Sequence, residues 1–416
     1  MSPTSGTVAA PAAAFEAALP VSARSQPADT HRFAQLEGQR GLAAVLVVIF
    51  HAYQYDRSRP GGTFPYEGTV VHPLFYGLDG TVSWFFVLSA FLLALPYARA
   101  VLDGRPGTPA RRFLARRAVR IVPLYLVAVL VVWAWRNPRL PGNWQDLVEH
   151  LTFTQVFDQQ RIFYTIGPAW SLAVEVQFYV VLAVLGVLAT RVGGRLASRA
   201  QRLALLWSGT AGLALVTVAW ALVMGVGLGH PKQDFVVWFS LPAKLSVFAV
   251  GIAVAVFVAD RRPALSAGIS WGLRLAGCAI VLLAMYRRGP SGADDPLFHS
   301  LCGAGFGLLV LSSVAGPQTG LYARVLSSRA LVWLGLVSYS LYLWHEPLLL
   351  SLAGMHLLPA QSAGAFPVTA GLLLGTGLVV AWVSYWVIEY PASHLRSRDD
   401  GPSRRPAPIA STRDWP

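Results

Sequence analysis

The chain has 416 residues, of which 55% are apolar and only 13% are charged, whereas soluble globular domains carry about 25% charged residues. So few charges do not suit a surface that faces water throughout. The 14 Trp, 14 Tyr and 20 Phe exclude a disordered chain, and the two cysteines exclude a disulfide framework. The composition therefore predicts an all-α polytopic membrane protein.

The two ends of the chain differ in composition from its middle. Residues 1–35 are rich in Ala, Pro and Ser and lack the long apolar run of a signal peptide. Residues 392–416 combine prolines with arginines. We expect both ends to be disordered, the first as an Ala/Pro-rich arm and the second as a basic tail. The transmembrane domain is predicted at residues 36–391.

Ten apolar segments are long enough to cross a bilayer as helices, since about 20 residues span its hydrocarbon core. They lie near residues 39–56, 77–98, 118–136, 168–190, 203–226, 234–259, 265–286, 297–315, 330–355 and 366–390.

Basic residues predict how these segments are oriented. If both termini are cytoplasmic, 24 basic residues lie on the cytoplasmic side and 8 on the opposite side. This bias follows the positive-inside rule, so we expect cytoplasmic termini in a cell-membrane protein. The net charge of +13 is then largely a signal for topology, and no nucleic-acid partner is expected.

Ionisable groups inside apolar helices are costly and indicate a partner, a polar cavity or a function. Arg40 and His51 share the first segment on one helix stripe, roughly 16 Å apart along the axis. Taken alone, Arg40 is also typical of a lipid-headgroup anchor and His51 of a packing histidine. In the fourth segment Glu175 lies four residues after Ser171, and its alternative interpretation is a structural pair with an arginine or histidine of another helix. With His345 of the ninth segment, His51 and Glu175 are predicted at comparable depth, which implies a polar cavity.

Five strings in chain order resemble the acyltransferase 3 family of integral-membrane O-acyltransferases. They are LEGQRGLAAVLVVIFHA at 36–52, WFFVLSAFLL at 84–93, RFLARRAVRIVPLY at 112–125, WSLAVEVQFY at 170–179, and SYSLYLWHEPLL at 338–349 together with IEYP at 388–391. The first string contains the family's basic residue, ten intervening residues and histidine, matched by Arg40 and His51. The resemblance covers nearly the whole membrane unit.

The resemblance implies transfer of an acyl group, with acetyl expected, from acyl-CoA to a hydroxyl of a carbohydrate or of a glycosylated metabolite such as a macrolide. Acyl-CoA is then a co-substrate, and no permanently bound cofactor or metal is expected. The lipid bilayer is the other expected partner.

The matched motifs also suggest which residues carry the reaction. Arg40, Arg116, Arg117 and Arg120 are expected to bind the donor phosphates. His51 is the expected general base, and Glu175 is expected to orient its ring. Residues expected to support the acceptor or the developing negative charge are Trp170, Ser171, Tyr342 and His345.

Two alternatives remain open at this point. Transfer can be direct or can pass through an acyl-enzyme on Ser89 or Ser171. A secondary transporter of a small polar solute also uses charges at mid-membrane depth and broken helices, although no internal duplication is visible between the two halves of the chain. The sequence leaves the oligomeric state and the acceptor undetermined.

Overall fold

A computed structural model describes residues 27–57, 62–289 and 291–393, and within these ranges the chain is helical without β-strands. The α-helices are α1 Pro27–Tyr55, α2 His72–Tyr76, α3 Val82–Leu102, α4 Ala110–Arg136, α5 Trp144–Leu151, α6 Ala169–Gly193, α7 Arg199–Trp220, α8 Phe235–Trp238, α9 Leu241–Arg261, α10 Ala267–Tyr286, α11 Asp294–Ala315, α12 Leu321–Leu326, α13 Arg329–Gly354 and α14 Phe366–Ser384. A 3₁₀ turn, Gly77–Thr81, joins α2 to α3, and π-helical turns extend α7 through Ala221–Gly227 and α14 through Tyr385–Glu389.

Helix α1 begins earlier than the sequence predicts. It starts at Pro27, so the end of the predicted arm is helical. Proline suits the first helical position because its missing N–H has no partner there in any case. Gln35 is fully buried and its amide donates to the side chain of Gln318. Residues 1–26 of the predicted arm and 394–416 of the predicted tail lie outside the described residues.

All ten predicted segments are helical, and eight helical stretches in the described ranges have the length and hydropathy of a membrane span. They are His72–Leu102, Ala110–Arg136, Ala169–Gly193, Arg199–Gly227, Phe235–Arg261, Ala267–Tyr286, Asp294–Ala315 and Phe366–Ser393. The two predicted segments missing from this set are α1 and α13. Both are long enough, but polar residues such as Arg40, His51, His345 and Glu346 lower their hydropathy.

Helices α1 and α13 pack in direct contact because glycines face each other. A Cβ on Gly335 would lie 2.1 Å from the backbone oxygen of Glu37, and one on Gly41 would lie 2.7 Å from the nitrogen of Gly335. Small residues at such crossings let two membrane helices approach closely. This packing places side by side the two long helices that lack the hydropathy of a membrane span.

Helix α3 lies at the centre of the bundle and packs most closely against α9. A Cβ on Gly251 of α9 would lie 2.4 Å from the backbone oxygen of Val87. Nearby, the ring of Phe248 stacks on Phe86 and on Phe178 of α6, with centroid separations of 4.6 and 3.9 Å. Aromatic stacking of this kind adds about 0.5–1.5 kcal/mol per pair to the burial of the rings. The core therefore fixes α3, α6 and α9 around the polar residues described next.

Candidate active site

Two polar cavities meet inside the helix bundle. We call the first the arginine cavity, and it encloses about 840 Å³ including its mouth. Its lining residues are Arg40, Val82, Phe85, Phe86, Leu88, Ser89, Leu92, Leu93, Arg117, Arg120, Ile121, Ser171, Leu172, Glu175, Tyr179, Ser338, Tyr339 and Tyr342. The second, which we call the histidine cavity, encloses about 1970 Å³ including its mouth, and His51, Tyr342 and Glu346 are among its lining residues. Val82 and Tyr342 line both cavities and form part of the boundary between them.

His51 and His345 form a contact between α1 and α13. The Nε2 atom of His345 lies 3.1 Å from Nδ1 of His51. His51 Nδ1 also lies 3.0 Å from the backbone oxygen of Val47, and Nδ1 of His345 lies 2.6 Å from that of Tyr342. The ring of His345 is fully buried behind His51, which lines the histidine cavity.

These partners assign the tautomers of both rings. A carbonyl oxygen only accepts, so Nδ1 of His345 carries the proton that it donates to Tyr342. In the neutral ring Nε2 of His345 is then an acceptor, and Nδ1 of His51 donates to it and to Val47. The remaining nitrogen of His51, Nε2, consequently holds a lone pair and has the chemistry of a general base.

Glu175 lies in the arginine cavity and does not contact His51. Its carboxylate accepts hydrogen bonds from Ser89 and, at 2.6 Å, from the hydroxyl of Tyr179. The expected contact between Glu175 and His51 is therefore absent, because α6 presents this residue to α3 rather than to α1. His345 occupies the position behind His51 that the sequence analysis gave to a carboxylate.

The predicted donor-binding arginines are partly gathered at one cavity. Arg40 of α1 and Arg117 and Arg120 of α4 line the arginine cavity. Arg116 is also on α4, but it does not line this cavity. Arg40 forms an ion pair of 2.9 Å with Glu37 one turn earlier. Three guanidinium groups lining one cavity have the chemistry to bind a phosphate-bearing molecule through charge-assisted hydrogen bonds.

Tyr342 and Ser171 form a hydrogen-bonded pair at the boundary between the cavities. Their hydroxyl oxygens lie 2.7 Å apart, and both approach the backbone oxygen of Pro168, at 3.1 and 3.0 Å. Pro168 is the N-cap of α6, and its carbonyl also accepts from the backbone N–H of Ser171 at 3.2 Å. The pair is therefore already satisfied, and a substrate oxygen must replace Pro168 to receive a hydrogen bond from it.

Trp170 faces the histidine cavity rather than the arginine cavity. Its ring stacks on Phe239 with a centroid separation of 4.2 Å. Phe163, Phe235 and Trp238 line the same cavity. A group of aromatic faces next to polar side chains is suited to binding the apolar faces of a sugar ring.

Glu346 is a site residue that the sequence analysis did not select. Its carboxylate accepts a 2.6 Å hydrogen bond from the backbone N–H of Gly167 and lines the histidine cavity. A Cβ at Gly167 would lie 2.5 Å from this carboxylate, so a larger residue would displace the Glu346 side chain from its present position. A glutamate directly after His345 in an apolar helix is a sequence signal for a functional residue. The sequence does not show that this glutamate faces the loop before α6.

A charged cluster forms another wall of the histidine cavity. Arg288 holds Asp79 through a 2.7 Å ion pair, and Lys244 holds Asp295 at 2.5 Å. Burial alone would lower the pKa of the Arg288 guanidinium, but Asp79 raises it above its ordinary value. Lys232 also lines this wall, and burial lowers the pKa of its ammonium group.

The bundle of apolar helices defines a multi-pass membrane protein with two adjoining cavities between its helices. Residues 33–386 match the family model described as an acyltransferase domain. The chain belongs to this acyltransferase family and is an acyltransferase enzyme.

Three curated proteins illustrate the similarity. The chain is 26% identical over 375 residues to the putative membrane-bound transacylase BcsY of Komagataeibacter xylinus, covering 86% of this chain and 82% of that protein. It is 27% identical over 318 residues to the exopolysaccharide production protein ExoZ of Rhizobium meliloti, covering 74% and 88%. It is 23% identical over 337 residues to the peptidoglycan O-acetyltransferase OatA of Listeria monocytogenes, covering 76% of this chain and about half (49%) of that protein. No solved structure matches the chain.

Proposed function

We propose that this enzyme transfers an acyl group, with acetyl expected, from acyl-CoA to a hydroxyl of a carbohydrate or of a glycosylated metabolite. The observation that carries the proposal is the meeting of two cavities at Tyr342, one with three arginines and the other with a lone-pair nitrogen on His51. Donor and acceptor have different charges and sizes, and each cavity suits one of them. The names of the related O-acetyltransferases support the reaction type.

The donor enters the arginine cavity from the cytoplasm in this proposal. The excess of basic residues on the side of both termini supports the orientation. Arg40, Arg117 and Arg120 bind the phosphates of CoA at the mouth, and the thioester reaches toward Tyr342. Arg40 and His51 lie roughly 16 Å apart along α1, which suits a donor with its phosphates at one end and its reactive carbon at the other.

The acceptor enters the histidine cavity, and His51 acts on its hydroxyl. Nε2 of His51 takes the hydroxyl proton while the acceptor oxygen attacks the thioester carbon. The carbon–sulfur bond breaks, the thiolate of CoA receives the proton, and the products are an ester and free CoA. His345 accepts from Nδ1 of His51 and so leaves Nε2 of His51 free to take the proton. In this proposal the acyl group passes directly from CoA to the acceptor, without an acyl-enzyme.

The proposal is tested with purified protein in lipid nanodiscs, supplied with acetyl-CoA and a panel of glycans and macrolides. We expect free CoA to accumulate only when an acceptor is present, together with an acetyl ester detected by mass spectrometry. Uptake of an acceptor by sealed vesicles without release of CoA would contradict the proposal. Comparing glycans and secreted metabolites from a strain that lacks the gene, for one lost acyl mass, identifies the native acceptor.

A further inference from the structure

Lys232 is a cation in the histidine cavity that the mechanism above does not use. It lies in the loop between α7 and α8 and is half-buried. Only two of the chain's basic residues are lysines, Lys232 and Lys244. The ammonium of Lys244 is fully buried and paired with Asp295, whereas that of Lys232 faces the cavity.

The ammonium group of Lys232 makes few direct contacts with the protein. Its Nζ atom donates to the backbone oxygen of Gly289 at 3.4 Å and lies 6.0 Å from the ring centroid of Tyr76. In the part of the chain that the structure describes, no carboxylate forms an ion pair with it. An ammonium group has three donors, so at least two remain available to a ligand.

The nearby carboxylates already have partners of their own. Asp79 is paired with Arg288, and Asp295 with Lys244. Asp294 accepts from the backbone N–H of Ser291 at 2.8 Å. Burial and the neighbouring Arg288 lower the pKa of the Lys232 ammonium, and Asp295, Asp79 and Asp294 offset only part of this effect, so an anion bound directly to Lys232 would stabilise its charged form.

We infer that Lys232 is a specificity-determining residue that binds an anionic group of the acceptor, so that the preferred acceptors are acidic carbohydrates. The inference rests on the proposed function, because it places the acceptor in the histidine cavity. The aromatic residues of that cavity contact the sugar faces, Lys232 binds the carboxylate of an acidic sugar, and His51 receives a hydroxyl of the same molecule. A lysine binds as a point charge, so it selects for charge rather than for one exact anion.

The test compares two acceptors that share their hydroxyl groups but differ in charge, an oligogalacturonide and its methyl ester. We expect the wild-type enzyme to show a KM for the acid about 10-fold or more below that for the ester, as charge-assisted hydrogen bonds allow. Lys232→Gln should remove this difference by raising the KM for the acid, with kcat nearly unchanged. Lys232→Arg should retain the preference.

Arg287→Gln is the matched control, because Arg287 is an exposed cation two residues before Gly289, which Lys232 contacts, and it does not line the cavity. It should leave both KM values unchanged. Equal KM values for acid and ester in the wild type, or equal effects of Lys232→Gln and Arg287→Gln, would overturn the inference. If Lys232 only anchored the loop at the membrane surface, Lys232→Gln would change the KM values for both acceptors by the same factor.

Equilibrium binding separates this inference from the proposed function. Isothermal titration calorimetry with the same two oligosaccharides needs no turnover. Tighter binding of the acid that is lost in Lys232→Gln supports the site even if no acyl transfer is detected. Transfer to the methyl ester with equal binding of both oligosaccharides would support the acyltransferase and refute the role of Lys232.

Discussion

Substitutions at His51 and His345 should produce losses of very different size. Asparagine places an amide nitrogen near the position of Nδ1, so His51→Asn keeps a donor for Val47 and removes only the base at Nε2. General-base catalysis contributes about 10²–10⁴ in rate, so kcat should fall by that factor. This loss corresponds to about 3–5 kcal/mol of transition-state stabilisation.

His345→Asn should have a smaller effect, because Nδ1 of His51 has two acceptors. The variant retains a donor for the carbonyl of Tyr342 but no longer reaches His51. The backbone oxygen of Val47, at 3.0 Å, still favours the basic tautomer. Loss of one hydrogen bond, worth about 1–1.5 kcal/mol, predicts a fall in kcat of about 10-fold. His345→Gln, which offers an acceptor near the position of Nε2, should be close to wild type.

The assay follows thiol release from acetyl-CoA at saturating acceptor, with His356→Asn as the control because His356 is exposed and outside both cavities. Gel filtration and thermal unfolding establish that each variant is folded. Activity of His51→Asn within threefold of wild type would refute the base assignment. Equal losses in His51→Asn and His345→Asn would instead refute the supporting role of Val47.

Three other predictions concern the donor, the boundary and the helix packing. Arg120→Gln should raise the KM for acyl-CoA about 10-fold at low salt and less at high salt, because salt screens the charge of the phosphates. Arg111 is exposed on the same helix, and Arg111→Gln should leave this KM unchanged. Unchanged KM values in both variants would remove Arg120 from the phosphate site. Tyr342→Phe removes one hydroxyl from the boundary between the cavities and should lower kcat about 10-fold with little change in the KM for acyl-CoA. A raised KM with an unchanged kcat in steady-state kinetics would contradict this. Gly335→Ala should lower thermal stability and activity together because its methyl group meets the backbone of Glu37, while Gly354→Ala, which meets open space, should lower neither.

Local sequence patterns predicted the helices and the family well. Apolar runs located ten segments that are all helical, and eight of them have the hydropathy of a membrane span. Such runs are readable from the sequence because they involve only residues that are neighbours along the chain. The same patterns selected Arg40 and His51 in the first segment and the arginines at positions 116, 117 and 120 around the start of the third. Family membership followed from motifs in order and did not require geometry.

Contacts between distant segments were beyond the sequence. Glu175 was expected beside His51 because both have similar depth, but depth does not determine which way a helix faces. The structure instead places His345 there, since α13 packs on α1 through Gly41 and Gly335. Glu346 of α13 contacts the loop before α6 and Lys232 lies in the loop before α8, and no periodic pattern predicts the path of either loop.

The low hydropathy of α1 and α13 has a consequence for biogenesis. A helix with charged and polar residues partitions poorly into lipid on its own and needs a partner during insertion. That partner for α1 is α13, which the ribosome makes about 300 residues later. We expect α1 to remain weakly inserted until α13 emerges, so that a chain truncated before α13 is a substrate for membrane proteases rather than a partly active enzyme.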